Sequence, residues 1–281
     1  MKDLWVPLSG AIAQQRNVET IANNVANANT PGFKKDQLAF KEYLKVLEKG
    51  LEDINLPRRE WSPDEFYHTQ GAEKAQVKVD GSYTNHQQGQ LTPTGNHLDF
   101  GLHGKGFFEV LTPNGIRYTR RGTFTLNNQS QLVTSQGFPV LSQLDLAAIE
   151  NAGENAPEQI TNPQNRIIQF PQDAGKPTIN LQGEIFSNGQ KIADLSVVEF
   201  NDIHALRKEG QSNFINNDFK NITVDTPKTA VHQGFVEQSN VNAVQEMSAL
   251  IKANRHFESI QKVIKAYDQI SGKSVNEISR F

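Results

Sequence analysis

Two histidines and an aspartate lie close together near the middle of the chain, and residues of these types bind metal ions. His97, Asp99 and His103 are separated by two and four residues, so on a β-strand their side chains would share one face. Imidazole nitrogens and carboxylate oxygens are ligands that Zn²⁺ takes in proteins. No further cluster of such residues completes a coordination shell. The pattern therefore favours ordinary surface residues and leaves a metal site as an alternative.

The glycine-rich run from Gly101 to Gly106 has the composition of a phosphate-binding loop but not its context. A dinucleotide-binding loop opens a helix, whereas here Phe107 begins an apolar run typical of a strand. We therefore predict a tight turn between two strands, where glycine adopts backbone conformations that other residues avoid. The sequence also contains no P-loop, no Gly-x-Ser-x-Gly and no His-Glu-x-x-His motif, so it gives no support to an NTPase or a hydrolase.

Composition narrows the remaining function classes. The 281 residues include no cysteine, which excludes disulfides, thiolate metal sites and cysteine nucleophiles. The formal net charge is −3 and no basic run exceeds two residues, so we expect no nucleic-acid partner. No apolar run approaches the roughly 18 residues of a membrane helix, and the N-terminus lacks the apolar core of a signal peptide. We expect no cofactor, no direct membrane insertion and no cleaved signal peptide.

The strongest periodic signals lie at the two ends of the chain. Near the N-terminus, apolar residues at spacings of three and four, with Gln15 in one position of the series, predict an amphipathic helix: Leu4, Leu8, Ala11, Val18, Ala22 and Val25. Pro31 and Gly32 end this pattern. The same spacing recurs near the C-terminus: Leu250, Ala253, Phe257, Ile260, Ile264 and Tyr267. That helix has Asn242 as its candidate N-cap and Gly272 as its predicted stop. Since an apolar stripe needs a partner, we predict that the two helices pack together.

Between the helices the period changes to that of strands. Residues 38–47 carry a second, short helical pattern, and the polar residues that follow predict an extended connector. Short apolar runs then alternate with turn signals such as Asn114-Gly115 and Asn188-Gly189, which predict hairpins. Residues 143–177 are polar and predict a surface insert within this region.

The sequence thus predicts an α+β fold in three parts. Residues 1–45 and 236–281 form a terminal helical domain, in which the long N- and C-terminal helices pair as a coiled-coil-like arm. Residues 46–84 form the extended connector. Residues 85–235 form a central all-β domain of short strands and hairpins.

Four blocks of the sequence carry a family resemblance. They are IANNVANANTPGF from Ile21 to Phe33, GKGFFEVLTPNGIRYTRRGTFTLNNQSQLVTSQGFPVL from Gly104 to Leu141, ADLSVVEFND over 193–202, and GFVEQSNVNAVQEMSALIKANRHFESIQKVIKAYD over 234–268. The first block is close to specific for the bacterial flagellar basal-body rod and hook proteins, and the other three resemble the same family. Within it, the run from Ser239 to Ser248 is most like the proximal rod proteins.

The resemblance implies a structural, non-enzymatic subunit of the flagellar rod that transmits torque. In this family, paired terminal helices form an inner tube and the β-domain faces outward. The arms would be mobile in the monomer and become ordered on assembly. Implied partners are rod subunits of the same and other kinds, and the type III export apparatus, which would deliver the chain unprocessed to the rod that spans the periplasm. We predict assembly contacts at these residues: Leu8, Ile12, Val18, Ile21, Asn23, Asn24, Val25, Asn27, Leu250, Phe257, Ile260 and Ile264.

Two other hypotheses stay open at this point. One is a distal rod or hook subunit of the same axial family, which the position of the subunit in the flagellum would distinguish. The other is a secreted metal- or glycan-binding module that uses His97, Asp99 and His103. The metal content of the purified protein tests that hypothesis.

Overall fold

The fold is described from a computed structural model, which places residues 5–44, 75–144, 162–171, 175–210, 212–223 and 228–278. Within these ranges the chain is α+β, with one long helix towards each end and short strands between them. It divides into two units. The helical unit comprises residues 1–25, 36–83 and 243–281, and the β unit comprises residues 26–35 and 84–242. The predicted boundaries had assigned residues 26–35 to the helical part.

The two helices lie where the periodicity predicts them. Helix α1 spans Trp5–Ala26 and helix α2 spans Ala243–Ile278. Helix α2 begins directly after Asn242 and carries Glu246 in its first turn, where a carboxylate is favoured by the helix dipole. The predicted stop at Gly272 is wrong, because α2 continues to Ile278. A single glycine inside a long helix costs only about 1 kcal/mol, which the neighbouring turns offset.

The predicted contact between the helices is confirmed. Gln14 Nε2 on α1 donates a hydrogen bond to the carbonyl oxygen of Ala253 on α2 at 3.1 Å. Ala11, Ala13 and Ala253 are buried, and a Cβ at Gly10 would lie 4.0 Å from Ile260 Cδ1. Small residues therefore let the helix backbones approach each other. Knobs-into-holes pairing of the coiled-coil kind stays a prediction.

The helical unit also contains a two-stranded sheet, formed by β1 (Asp36–Leu44) and β2 (Ala75–Thr84). The short helix predicted over residues 38–47 is therefore wrong where the structure describes it. Residues 75–84, the last part of the predicted extended connector, form β2 and pair with β1. So short a helical pattern is marginal alone, whereas pairing with β2 satisfies the backbone of β1. The rest of the predicted connector lies outside the described residues.

The strands of the β unit are short and pair antiparallel. In chain order they are β3 (Leu91–Pro93), β4 (Phe100–His103), β5 (Phe107–Thr112), β6 (Gly115–Thr119), β7 (Phe124–Leu126), β8 (Leu132–Thr134), β9 (Thr178–Ile179), β10 (Glu184–Ser187), β11 (Gln190–Asp194), β12 (Val197–Val198), β13 (Arg207–Glu209), β14 (Asn213–Ile215), β15 (Ala230–Gln233) and β16 (Phe235–Glu237). One sheet has the order β12-β5-β6-β14-β13, another has the order β11-β10-β9, and two-stranded pairs join β15 to β4, β16 to β3 and β7 to β8.

The predicted hairpins are confirmed. Pro113 and Asn114 connect β5 to β6, which begins at Gly115, and Asn188 and Gly189 connect β10 to β11. Asn188 and Gly189 both have positive φ, 51° and 79°, as a tight hairpin turn requires. The pairs β4–β15 and β3–β16 instead join segments more than a hundred positions apart.

Two clusters of aromatic and aliphatic side chains form the core of the β unit. One contains Phe124, whose ring contacts the rings of Phe100 and Phe108, and the other contains the contacting rings of Phe107 and Phe214. The predicted surface insert is wrong in part, because Ile168 and Phe170 are buried in the first cluster and Ile167 bridges to Leu141. A few alternating apolar residues suffice to add a strand-like segment to a core within a polar stretch. Residues 145–161 and 172–174 of the insert lie outside the described ranges.

Candidate functional site

The structure separates the predicted assembly residues of the two helices into different environments. Half-buried positions are Val18, Ile21 and Val25 on α1 and Leu250, Phe257, Ile260 and Ile264 on α2. In contrast, Leu8 is 37% exposed and Ile12 is 55% exposed. The last two are one helical turn apart on α1, so they form a small apolar surface that faces solvent. We call Leu8 and Ile12 the outer stripe of α1.

A second exposed apolar surface was missed by the sequence reasoning. Val244, Met247 and Ile251 on α2 are 75%, 52% and 56% exposed. Their spacing of three and four places them on one side of the helix, but they are not among the residues of the predicted stripe. The spacing of three and four in the sequence is the signal that identifies them. We call these three residues the outer stripe of α2.

Asn24 acts inside the helical unit. Its Nδ2 donates to the carbonyl oxygen of Asp36 at 2.8 Å, and its Oδ1 accepts from the Asp36 backbone N–H at 3.0 Å. Asn24 and Glu246 of α2 are both buried, with Nδ2 and Oε2 3.5 Å apart. Asn24 therefore closes the loop between α1 and β1. Its neighbour Asn23 is exposed, so two predicted residues of the same type lie in different environments.

Three segments of the β unit meet at one place: residues 32–35, 85–89 and 237–240. We call this place the linker crossing, because each segment lies close in sequence to a boundary between the two units. These boundaries follow residues 25, 35, 83 and 242. The Gly32 N–H donates to the Glu237 carbonyl oxygen at 2.8 Å, and the Asn85 N–H donates to the Lys35 carbonyl oxygen at 2.8 Å. The Asn240 side chain accepts from the Lys35 N–H at 2.8 Å and donates to the Asn85 carbonyl oxygen at 2.8 Å. One amide thus joins all three segments.

A buried charge cluster lies at the linker crossing. Lys34, Glu237 and Arg120 are all buried. Lys34 Nζ donates to Glu237 Oε1 at 2.5 Å and to the Gln87 carbonyl oxygen at 2.7 Å. The Gly89 N–H donates to the same Glu237 oxygen at 2.9 Å, and Arg120 Nε lies 3.4 Å from Glu237 Oε2. One carboxylate therefore faces two cations.

Burial and charge oppose each other in this cluster. Burial lowers the pKa of the Lys34 ammonium, and the adjacent Glu237 carboxylate opposes that shift. Burial likewise lowers the pKa of the Arg120 guanidinium, which Glu237 and Glu199 oppose. Arg120 also donates to the carbonyl oxygens of Gly104 and Gly106, so its position is held from several sides.

Close backbone packing surrounds the cluster. Gly32 has φ of 69°, and a Cβ there would lie 2.5 Å from the Arg121 backbone nitrogen. A Cβ at Gly89 would collide with the Gln238 carbonyl oxygen. The Pro31-Gly32 pair was predicted as a helix stop, and the structure gives Gly32 a second role as a contact surface for the chain at Arg120 and Arg121.

The residues predicted as an alternative metal site are used differently. Asp99 is buried and accepts hydrogen bonds from Thr94 Oγ1 at 2.6 Å and Asn96 Nδ2 at 3.1 Å, whereas His97 and His103 are exposed. In the part of the chain that the structure describes, no three His, Asp or Glu side chains are grouped to hold a metal ion.

The glycines after His103 form the predicted turn, packed against Thr229. Of the two described helices, neither is apolar enough over a sufficient length to span a bilayer.

Comparison with known families gives three matches along the chain. Residues 6–34 match the family described as flagella basal body rod protein. Residues 101–187 match the flagellar hook protein FlgE/F/G D1 domain, and residues 232–278 match the flagellar basal body rod FlgEFG protein C-terminal family. The buried charge cluster takes one residue from each match: Lys34, Arg120 and Glu237.

Individual relatives are similar over nearly the whole chain. FlgF of Rhizobium meliloti is 30% identical over 276 residues, which are 98% of this chain and 97% of the relative. FlgF of Caulobacter vibrioides is 31% identical over 99% of this chain and 98% of the relative. FlgG of the same bacterium is 32% identical over 96% of this chain and 97% of the relative. All three are described as flagellar basal-body rod proteins.

Proposed function

The chain belongs to the flagellar basal-body rod protein family, and we propose that within it the chain is a subunit of the proximal rod. As a member of that family it is a structural component of the basal body that assembles with other rod components. The FlgF relatives support the proximal rod, since they align with 98% and 99% of the chain at 30% and 31% identity. FlgG relatives of similar identity make a distal position the alternative.

The outer stripes of α1 and α2 carry this proposal. Exposed apolar side chains that cluster on one surface mark an interaction site, and complete burial of a side chain such as isoleucine or methionine stabilises a contact by about 1.5–3 kcal/mol. We propose that helices of neighbouring rod subunits cover both stripes. The half-buried residues of the predicted set, such as Leu250 and Phe257, would hold the chain's own two helices together.

Repetition of one contact explains how such a subunit builds a shaft. If a surface of one subunit binds a different surface of the next, and the rotation between them does not close a ring, the product is a helical filament. The subunit then transmits torque through packing alone, with no chemical step and no cofactor. We further propose that the chain reaches the periplasm-spanning rod through the flagellar type III export apparatus without loss of a signal peptide.

Substitution of the outer stripe of α2 tests the proposal. In a strain that lacks its own copy of the gene, the double variant Met247→Ser/Ile251→Ser should be made and folded but incorporated into purified basal bodies at about one tenth of the parental amount or less. The matched control is Lys252→Ser/Arg255→Ser, which changes two exposed polar residues of the same helix. Immunoblots of basal bodies and swimming in soft agar provide the readouts. Parental incorporation of the outer-stripe variant would contradict the proposed interface.

The position along the rod needs a separate measurement. Electron microscopy of basal bodies that carry a tagged subunit gives the distance of the label from the inner-membrane ring. A label next to the ring supports the proximal rod, and a label at the hook end supports the distal alternative.

A further inference from the structure

The linker crossing has few backbone hydrogen bonds for the number of segments that meet there. Its three segments are far apart in sequence, and four backbone bonds join them: Gly32 to Glu237, Asn240 to Phe33, Asn85 to Lys35, and Gln238 to Gln90, the residue that follows the second segment. Isolated bonds of this kind add little stability, because each replaces a bond to water. Side chains must therefore contribute to holding the segments together.

The Glu237 carboxylate, like the Asn240 amide, reaches all three segments, and it is the charged group that does so. It belongs to the third segment, and its Oε1 accepts from Lys34 Nζ of the first segment and from the Gly89 N–H of the second. Lys34 Nζ also donates to the Gln87 carbonyl oxygen of the second segment at 2.7 Å. The other carboxylate oxygen faces Arg120, which extends from the sheet region of the β unit. Removal of this one charge would affect every segment of the crossing.

Loss of the Glu237 charge should be more costly than loss of the Lys34 charge. Two cations, Lys34 and Arg120, share Glu237, while Glu199 acts on Arg120 from a position fixed by the Thr229 hydroxyl at 2.6 Å. Loss of Lys34 leaves Arg120 paired with Glu237. Loss of the Glu237 charge leaves two buried cations facing a neutral group, and an uncompensated buried charge is far more costly than a missing pair.

We propose that Lys34, Glu237 and Arg120 form a positioning lock, which fixes the spacing of the three linker segments of the β unit and so prepares the chain for incorporation into the rod. The incorporation part of this proposal rests on the proposed function, whereas the local part does not. A charged cluster suits this task because its bonds are directional and tolerate only one register of the segments. Lys34, Glu237 and Arg120 are positioning residues and do not contact a neighbouring subunit in this proposal.

Hydrogen exchange of the full chain, followed by mass spectrometry of peptides, tests the local part. The variants are Glu237→Gln, Lys34→Met and the double variant that combines them. Glu184→Gln, at a half-buried position, and Lys105→Met, at an exposed one, make the same charge changes outside the cluster and serve as controls. We expect Glu237→Gln to accelerate exchange about tenfold or more in peptides covering residues 32–35, 85–90 and 237–240, while β5 and β6 keep their protection.

We also expect the three variants to differ in how much they accelerate exchange at the linker crossing. Lys34→Met should have a smaller effect than Glu237→Gln, and the double variant should fall between them, because it removes one of the two cations but still leaves Arg120 without the Glu237 charge. Parental exchange in Glu237→Gln, or an effect that spreads over β5 and β6 in both single variants, would overturn the lock. An equal or larger effect in Lys34→Met would overturn the charge argument.

Incorporation into basal bodies tests the assembly part. Glu237→Gln, at parental cellular amounts, should be incorporated about tenfold less than Glu184→Gln. Normal incorporation of a variant with accelerated exchange at the crossing would overturn the positioning role while leaving the rod function intact. Failure of the proposed function itself would be visible separately, as absence of the parental chain from basal bodies.

Discussion

Replacement of Gly32 by alanine should destabilise the β unit far more than the same replacement at Gly137. Both glycines have positive φ, 69° and 86°. Alanine in this conformation costs about 1–2 kcal/mol, and the loss of unfolded-state entropy offsets about 0.4–1 kcal/mol at either position. A comparison of the two variants therefore cancels the backbone effect and isolates the effect of packing.

The packing around the two glycines differs. A Cβ at Gly32 would lie 2.5 Å from the Arg121 nitrogen and 2.6 Å from the Arg120 carbonyl carbon, whereas nothing lies within 4 Å of a Cβ at Gly137. The chain at Arg120 cannot shift easily, because the Arg120 side chain is anchored in the buried charge cluster. Overpacking of this kind adds about 1–3 kcal/mol, so after the unfolded-state offset Gly32→Ala should cost about 1–4.5 kcal/mol in total.

Urea unfolding of the full chain, followed by near-ultraviolet circular dichroism of the buried aromatic residues, measures this difference. The transition midpoint should fall clearly further in Gly32→Ala than in Gly137→Ala, with similar slopes. Equal midpoints in the two variants would refute the reasoning, because they would show that the chain at Arg120 and Arg121 yields freely to a side chain at position 32.

Two further predictions concern the core of the β unit. Ile168→Ala should lower the free energy of unfolding by about 2–5 kcal/mol in urea, while Leu181→Ala, at an exposed position, should change it by less than about 0.5 kcal/mol; similar small values for both would return residue 168 to the surface. Burial and then the charge of Glu109 raise the pKa of Tyr118 above its ordinary value of 10.0. Above pH 10 the unfolded tyrosine loses its proton while the folded one keeps it, so parental stability should fall with rising pH. Urea midpoints at pH 8 and 11 should fall less in Tyr118→Phe, and an equal fall would contradict this origin.

Local patterns predicted the local elements of this fold. Apolar spacing along α1 and α2 and the Asn-Gly pairs at 114–115 and 188–189 act between residues a few positions apart, so one sequence suffices to recognise them. The wrong helix over residues 38–47 shows the limit of the same argument. Its apolar residues fit a short helix, but pairing with a strand more than thirty positions away decided the outcome.

The linker crossing could not have been predicted in this way. In the sequence Lys34 is one of two adjacent lysines, and its partner Glu237 lies 203 positions later. A lysine has no local signal for burial, since its environment is set by whatever the fold places around it. Ile168 was missed for a related reason, because a short apolar run in a polar stretch has no period long enough to stand out.

The placement of residues 26–35 in the β unit has a consequence for exchange of parts between related rod proteins. This ten-residue excursion leaves the helical unit at residue 25 and returns to it at residue 36, yet it brings Gly32 and Lys34 into the β unit. A chimera that transplants residues 84–242 alone would join one parent's excursion to the other parent's Arg120 and Glu237. Recombination between such genes would keep Gly32 and Lys34 with their own Arg120 and Glu237 only when residues 26–35 and 84–242 come from the same parent. The β unit is therefore encoded by two separate stretches of the gene.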